Sequence, residues 1–210
     1  MQRSHDKIIG TAAKQTLHPL GFFRKGRSRT WLADNGWWLV VVEFQPSGWD
    51  KGSYLNVGAH WLWSRSGHLS FDFGYRVGSF AAYETDEQFA GAVGLLAESA
   101  ADRARELIKA FPDVGAAAAI LTGQLAGLNA EQRGSWPALH AGIAAGLAGR
   151  TDDASRLLGA VTDDRVRLQA EALAGHADDA AEFRRVVSTD MVNQRQALKL
   201  PSLAATALPA

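Results

Sequence analysis

Trp37-Trp38-Leu39-Val40-Val41-Val42-Glu43-Phe44-Gln45 and, after the turn-rich residues 46–53, Tyr54-Leu55-Asn56-Val57-Gly58-Ala59-His60-Trp61-Leu62-Trp63 carry the reading of the fold. Successive side chains on a strand point to opposite faces, so a period of two separates a buried face from a wet one. Trp38, Val40, Val42 and Phe44 fall on one face and match Leu55, Val57, Ala59, Trp61 and Trp63. Further on, Leu69, Phe71, Phe73, Tyr75 and Val77 repeat the pattern, and these sets together make the expected core face. The opposite face carries Glu43 and Gln45, then Tyr54, Asn56 and His60, then Asp72 and Arg76. Working outward, the alternation predicts a four-stranded antiparallel meander with strands over residues 22–32, 37–45, 54–63 and 69–77. Asp34-Asn35-Gly36 predicts a type I′ hairpin, because Asn-Gly accepts the positive φ angles of that turn, and Ser66-Gly67 serves the last pair. Residues 46–53, which include Trp49, read as a flap.

The period changes on either side of this block. Before it, Ile8, Ala12, Ala13 and Leu17 share a helical face from about Ser4, read as the N-cap, until Pro19 and Gly21 end the helix. After it, Thr85-Asp86-Glu87-Gln88 reads as a capping box opening a long helix to Pro112, with Phe89, Val93, Leu96, Ala100, Leu107 and Phe111 on the side that covers the sheet's aromatic face. Residues 144–161 then align without gaps on residues 170–187, sharing Leu147/Leu173, Gly149/Gly175, Asp152/Asp178 and Asp153/Asp179. The physics is that of a helical hairpin, with Gly ending one helix in the left-handed conformation and paired Asp residues starting the next. The Leu-Ala-Gly-x-x-Asp-Asp-Ala run is tetratricopeptide-like, although the offset of 26 residues is shorter than that repeat's period of about 34. The expected fold class is therefore α+β: an N-terminal helix, a sheet covered by a long helix, then an all-α half of short hairpins. The expected domains are residues 1–112, a helical region over 113–200 packed on them, and a flexible tail over 201–210.

Charge and composition narrow the function classes. The net charge is zero, but residues 1–80 carry ten Lys/Arg against five Asp/Glu and the remainder carry the opposite excess. That split is too small to mark a nucleic-acid binder. The absence of cysteine removes disulfides, thiolate metal sites and cysteine nucleophiles and fits a reducing compartment. No signal-peptide run precedes Ile8-Ile9, and the longest apolar stretch, residues 114–128, falls short of the roughly 20 residues a membrane helix requires. A cytoplasmic protein without membrane contact is expected. The Ala, Gly, Arg and Asp usage has the cast of a GC-rich bacterial genome.

Leu17-x-x-x-Gly21-Phe22-x-Arg24-Lys25-Gly26, Val42-x-Phe44-Gln45-x-Ser47 and Tyr54-x-Asn56-x-Gly58 together resemble the bacterial family known as domain of unknown function 4304, over about residues 5–110. The resemblance implies no activity, cofactor or catalytic residue, and it does not extend to the helical repeats.

Two constellations are candidate sites. Glu43, Gln45, Tyr54, Asn56, His60, Asp72 and Arg76 gather a base, amide groups and an anion-pairing arginine on the outer sheet face; the plainer account is the wet side of a meander. Arg24, Lys25, Arg27 and Arg29, flanked by Phe22-Phe23 and Trp31, form a basic stretch suited to phosphates, or else the solvated side of an edge strand. The six histidines show no metal-ligand spacing, the Asp-Asp pairs sit at helix starts, and no Gly-rich phosphate loop follows a strand. No cofactor, metal or catalytic set is assigned. The first reading is a non-enzymatic module that binds another protein, by analogy with immunity or antitoxin partners. A small-molecule-binding or hydrolytic protein, using the outer sheet face beneath the flap, is the alternative. Nucleic-acid binding through the basic stretch comes third.

Overall fold

The computed structural model describes residues 2–201, so the predicted tail falls, Pro201 apart, outside the described residues. The chain divides into two compact units, one comprising residues 1–60 and 70–109 and the other residues 61–69 and 110–210.

The first unit holds α1 (Gln2–Leu17), β1 (Phe23–Arg24), β2 (Thr30–Asp34), β3 (Trp38–Pro46), β4 (Gly52–Trp61), β5 (Phe73–Ala82) and α2 (Asp86–Ala110). The sheet is an antiparallel meander in the order β1-β2-β3-β4-β5, with five strands rather than the expected four. The extra strand arises because the basic run breaks residues 22–32 into a hairpin that pairs Phe23 with Leu32 and Arg24 with Trp31. Gly26 turns the chain at φ 57°. The Arg24 guanidinium donates to the Ser28 and Arg27 carbonyls at 2.6 and 3.0 Å, and the Ser28 hydroxyl donates to the Lys25 carbonyl at 2.7 Å. These local bonds replace the ladder that a continuous strand would have made.

The hairpin at Asn35-Gly36 forms where expected, but its turn type differs. Gly36 takes φ 84° and Asn35 does not share it, and the Asn35 N–H donates to the Trp38 carbonyl at 2.9 Å. A single left-handed position, with Asp34 Oδ1 accepting from the Gly36 N–H at 3.0 Å, excludes type I′, which needs two. The last strand begins at Phe73, beyond the expected Leu69, and runs on to Ala82.

Alternation places the core side chains correctly on β3 and β4: Trp38, Val40, Val42, Phe44, Leu55, Val57, Ala59 and Trp61 are all buried. Leu39 and Val41 are buried as well, so central β3 has no wet face before Glu43. The expectation fails for the last strand: Phe71 lies before β5 and is 38% exposed, and Tyr75 on β5 stays 62% exposed, because an edge strand has a neighbour on one side only. α1 and α2 lie together, with the His5 ring 3.9 Å from that of Tyr83 and 5.4 Å from that of Phe89. α1 starts at Gln2, placing Ser4 inside the helix rather than at its cap. Its buried stripe is His5, Ile9, Ala13 and Leu17, spaced by four, which leaves Ile8 half-exposed. The start of α2 follows the expected signal: Thr85 Oγ1 accepts from the Gln88 N–H at 3.2 Å, and Gln88 Oε1 accepts from the Glu84 N–H at 3.1 Å.

The second unit is helical: α3 (Val114–Gln124), α4 (Ala130–Arg133), α5 (Trp136–Leu147), α6 (Thr151–Gly159), α7 (Asp164–Ala174) and α8 (Ala180–Ala197). α5 is its centre, buried at every position from 138 to 147 and packed against α3, α6 and α8. Its glycines permit that closeness, since a Cβ on Gly142 would lie 2.8 Å from Leu158 Cγ and one on Gly146 2.4 Å from Phe183 Cζ. The two hairpins are not copies. Gly149 takes the left-handed conformation, φ 75°, whereas Gly175 stays right-handed at φ −64°. Asp152 and Asp153 lie inside the first turn of α6, while Asp179 stands before α8 and accepts from the N–H groups of Ala181 and Glu182. The α7–α8 connection, residues 175–179, is accordingly longer than residues 148–150.

Residues 61–69 belong to this helical unit. Trp61 and Trp63 stack at 5.3 Å, Trp61 meets Phe111 edge-on at 5.1 Å, and Trp63 Nε1 donates to His140 Nδ1 at 3.2 Å. Gln169 Nε2 donates to the Trp63 carbonyl at 2.8 Å, Asp190 accepts from Arg65 Nε at 2.8 Å, and Gln194 Oε1 accepts from the Gly67 N–H at 3.0 Å. Buried Gln169 and Gln194 on α7 and α8 thus bond backbone groups of this irregular segment, and Asp190 holds its Arg65 side chain; residues 61–64 are buried while Arg65, Gly67 and His68 are exposed.

Candidate functional site

The predicted outer-face residues form two separate groups. On β3, β4 and β5, Asn56 Nδ2 donates to Glu43 Oε2 at 3.1 Å and to Gln45 Oε1 at 2.9 Å. Arg76 Nη2 donates to the same Gln45 oxygen at 2.9 Å, and its guanidinium lies 3.9 Å over the Tyr54 ring. The register explains the meeting, since Asn56 stands directly opposite Arg76. Every polar group named here already has a partner in the cluster, which makes this face a mutually satisfied network.

His60 and Asp72 lie apart from it, in a buried cluster that the sequence reading did not complete. His60 Nδ1 is 2.8 Å from Ser70 Oγ and 3.2 Å from Asp72 Oδ2, and the Ser70 hydroxyl donates to Asp72 Oδ1 at 2.7 Å. A serine nucleophile, a histidine base and an aspartate are thus adjacent, but they are not a relay. A relay sets serine and aspartate on opposite ring nitrogens, whereas both crowd Nδ1 here and the serine proton is directed at the aspartate. His60 is also fully buried.

The basic stretch disperses. Arg24 is spent on its own turn, burial pushes the Lys25 ammonium below its ordinary value, and Arg27 is exposed. Arg29 turns toward α1, where its Nε donates to Asp6 Oδ1 at 2.6 Å. No continuous cationic track results.

The structure instead forms a cleft of about 320 Å³ lined by His5, Arg29 and residues 46–52, and none of the seven outer-face residues contributes to it. The flap is held at both ends. Ser47 Oγ accepts from the N–H groups of Trp49 and Asp50 at 3.1 and 3.2 Å, and the Lys51 carbonyl accepts from the Tyr83 N–H at 2.9 Å. Gly52 is needed for this, because its Cβ would sit 2.2 Å from the Ala81 carbonyl oxygen. At the tip of this braced turn Trp49 is 97% exposed. The flap and Trp49 were legible in the sequence. His5 was not, and its one signal was a place four residues before Ile9 on the buried stripe.

A second hollow, in the helical unit, is lined by residues including Asn129, Gln132, Ser135, Asp163 and Arg165. Its polar groups serve helix starts. Asn129 and Gln132 form a reciprocal cap on α4, Asp163 accepts from the Arg165 N–H at the start of α7, and the Ser135 hydroxyl donates to Asp163. Hydrogen bonds from Arg165 and then Ser135 hold the Asp163 carboxyl well below the usual carboxylate range. Among the described residues no group of three or more His, Cys, Asp or Glu side chains is placed to hold a metal ion, and no helix is long and apolar enough to cross a membrane.

Comparison with family models, with curated proteins and with solved structures finds no match in any of the three.

Proposed function

We propose that this protein is a binding module whose partner is another protein, engaged through the flap at residues 46–52. The observation that carries the reading is Trp49, a large apolar side chain 97% exposed on a turn whose backbone is already fixed. An exposed Trp alone is not unusual, but one on a pre-ordered turn loses little entropy on contact, and Trp dominates binding hot spots. The cleft beside it, with His5, Arg29 and Lys51, supports a small-ligand reading displaced from the outer sheet face to the space under the flap. Two geometric features of the resemblance to domain of unknown function 4304 support keeping it within this proposal: Gly21 and Gly26 both adopt positive φ, and Gln45 bonds Asn56.

The test is quantitative capture from the native host by the wild type, by Trp49→Ala and by an Arg29→Ala variant. Loss of a hot-spot Trp costs about 2 kcal/mol, or roughly 30-fold in affinity, so a genuine partner is expected to be depleted at least tenfold by Trp49→Ala and retained by Arg29→Ala. Recovery of the same proteins by Trp49→Ala at wild-type levels refutes the assignment. A partner sensitive only to Arg29→Ala moves recognition to the cleft.

A further inference from the structure

We propose that the cleft beneath the flap binds a small organic monocarboxylate, held by His5 Nε2 and Arg29 Nη1. Both atoms are buried and neither has a hydrogen-bond partner among the described residues, and both side chains line the same cleft of about 320 Å³. A polar group taken out of water without a partner costs free energy, so an unpaired one in a native fold calls for an explanation. Trp31 Nε1 and Thr122 Oγ1 are also buried without a partner, but they line neither this cleft nor the hollow at Ser135. What singles out His5 and Arg29 is that two unmet nitrogens border one space.

Their neighbours hold them there. His5 is 8% exposed on the buried stripe of α1, its ring packed on those of Tyr83 and Phe89. The Arg29 side chain is 13% exposed and spends Nε on Asp6 Oδ1, which fixes the guanidinium and leaves Nη1 over. The imidazole donates from Nε2 in the tautomer that carries its proton there. Two planar donor groups match the two oxygens of one carboxylate, and the bond from the guanidinium is charge-assisted.

Charge selects a carboxylate over a phosphate. Arg29 and Lys51 bring positive charge to the cleft, while Asp50 on its lining and Asp6 beside Arg29 bring an equal negative charge. A single negative charge is met by the two donors; a second would face Asp6 and Asp50 with nothing to offset it. The volume lies at the small end of ligand pockets, which run from about 300 to 1,000 Å³, and Pro46 and Trp49 add apolar surface to the lining. A carboxylate carried on one ring or a short chain therefore fits. This deepens the small-ligand reading of the cleft and is independent of any protein that Trp49 engages.

Isothermal titration calorimetry on the purified chain, with sodium benzoate and with inorganic phosphate at constant ionic strength, tests it without reference to the capture experiment. Benzoate is expected to fill a single saturable site, and to bind more tightly than phosphate. His5→Phe keeps an aromatic ring against Tyr83 and Phe89 but offers no N–H, and Arg29→Gln removes the guanidinium. Each should weaken benzoate by about tenfold or more with an unchanged circular dichroism spectrum; if His5→Phe disturbs the spectrum, Arg29→Gln decides. Lys14→Gln removes the same charge from an exposed site on α1 and should leave the affinity within about twofold. No saturable binding of benzoate up to about 50 mM overturns the proposal. So does wild-type affinity in a folded His5→Phe or Arg29→Gln, an equal loss in Lys14→Gln, or phosphate binding more tightly than benzoate.

Discussion

Replacing Gly146 by alanine sets two effects of similar size against each other, and the structure decides which wins. In an unhindered helix the change adds about 1 kcal/mol of stability, because glycine is the poorer helix former. At this position the new methyl would lie 2.4 Å from Phe183 Cζ and 2.5 Å from Cε1. Phe183 has nowhere to retreat, being itself 1% exposed in the core of the helical unit. Forcing one extra carbon into such packing costs about 1–3 kcal/mol. The expected net result is a loss of about 1 kcal/mol, which moves a urea midpoint down by roughly 0.5 M for a typical slope. The assay is urea unfolding followed by circular dichroism at 222 nm, run as a double-mutant cycle with Phe183→Leu. Removing the ring should relieve the alanine, giving a favourable coupling of about 1 kcal/mol. If Gly146→Ala raises stability by its propensity alone, or if the two changes add within about 0.3 kcal/mol, then α5 and α8 do not meet as described.

Two further outcomes concern the helical unit. Asp190→Ala removes the acceptor of Arg65 Nε and of Gln169 Nε2 from a buried setting; a loss of about 1–3 kcal/mol is expected, read as a fall in Tm of several degrees, and an unchanged Tm shows that residues 61–69 do not depend on it. Asp163 supplies a pH test: its carboxyl is depressed by Arg165 and Ser135, so its contribution is complete above the unfolded value of about 3.9 and is lost as pH falls below that toward the folded one. Asp163→Ala should therefore be less stable than the wild type at pH 7, with the gap closing below about pH 4 in thermal melts. A gap that persists unchanged at low pH removes the charge from the explanation.

What was legible along the chain was whatever depends on near neighbours. Alternation identified the buried side of β3 and β4 because side-chain direction in a strand is set residue by residue. The Thr85 and Gln88 signal located the start of α2 because a cap is satisfied within one turn. The same logic misread residues 25–29, where the charged run looked compatible with a strand but Gly26 and the bonds of Arg24 and Ser28 formed a turn instead. It also misread Tyr75, whose alternation is right but whose burial depends on what lies beyond the edge. The candidate site was partly legible. Asn56, Glu43, Gln45 and Arg76 do meet, whereas His60 and Asp72 join Ser70 elsewhere.

By itself the sequence determined the class of the fold, the antiparallel pairing around residues 38–61, the helical hairpins and the presence of a flap that includes Trp49, whose exposure the structure supplied. Each of these follows from periodicity, turn chemistry or capping, which act over a few residues. Only the tertiary structure decided that His5 reaches the flap cleft, that Gln169, Asp190 and Gln194 hold residues 61–69, and that Arg76 is drawn away from the β5 edge. Those outcomes join residues far apart in the chain, and no local preference of His5 or Gln169 encodes which backbone will arrive beside it. They depend on how whole elements close around buried surface.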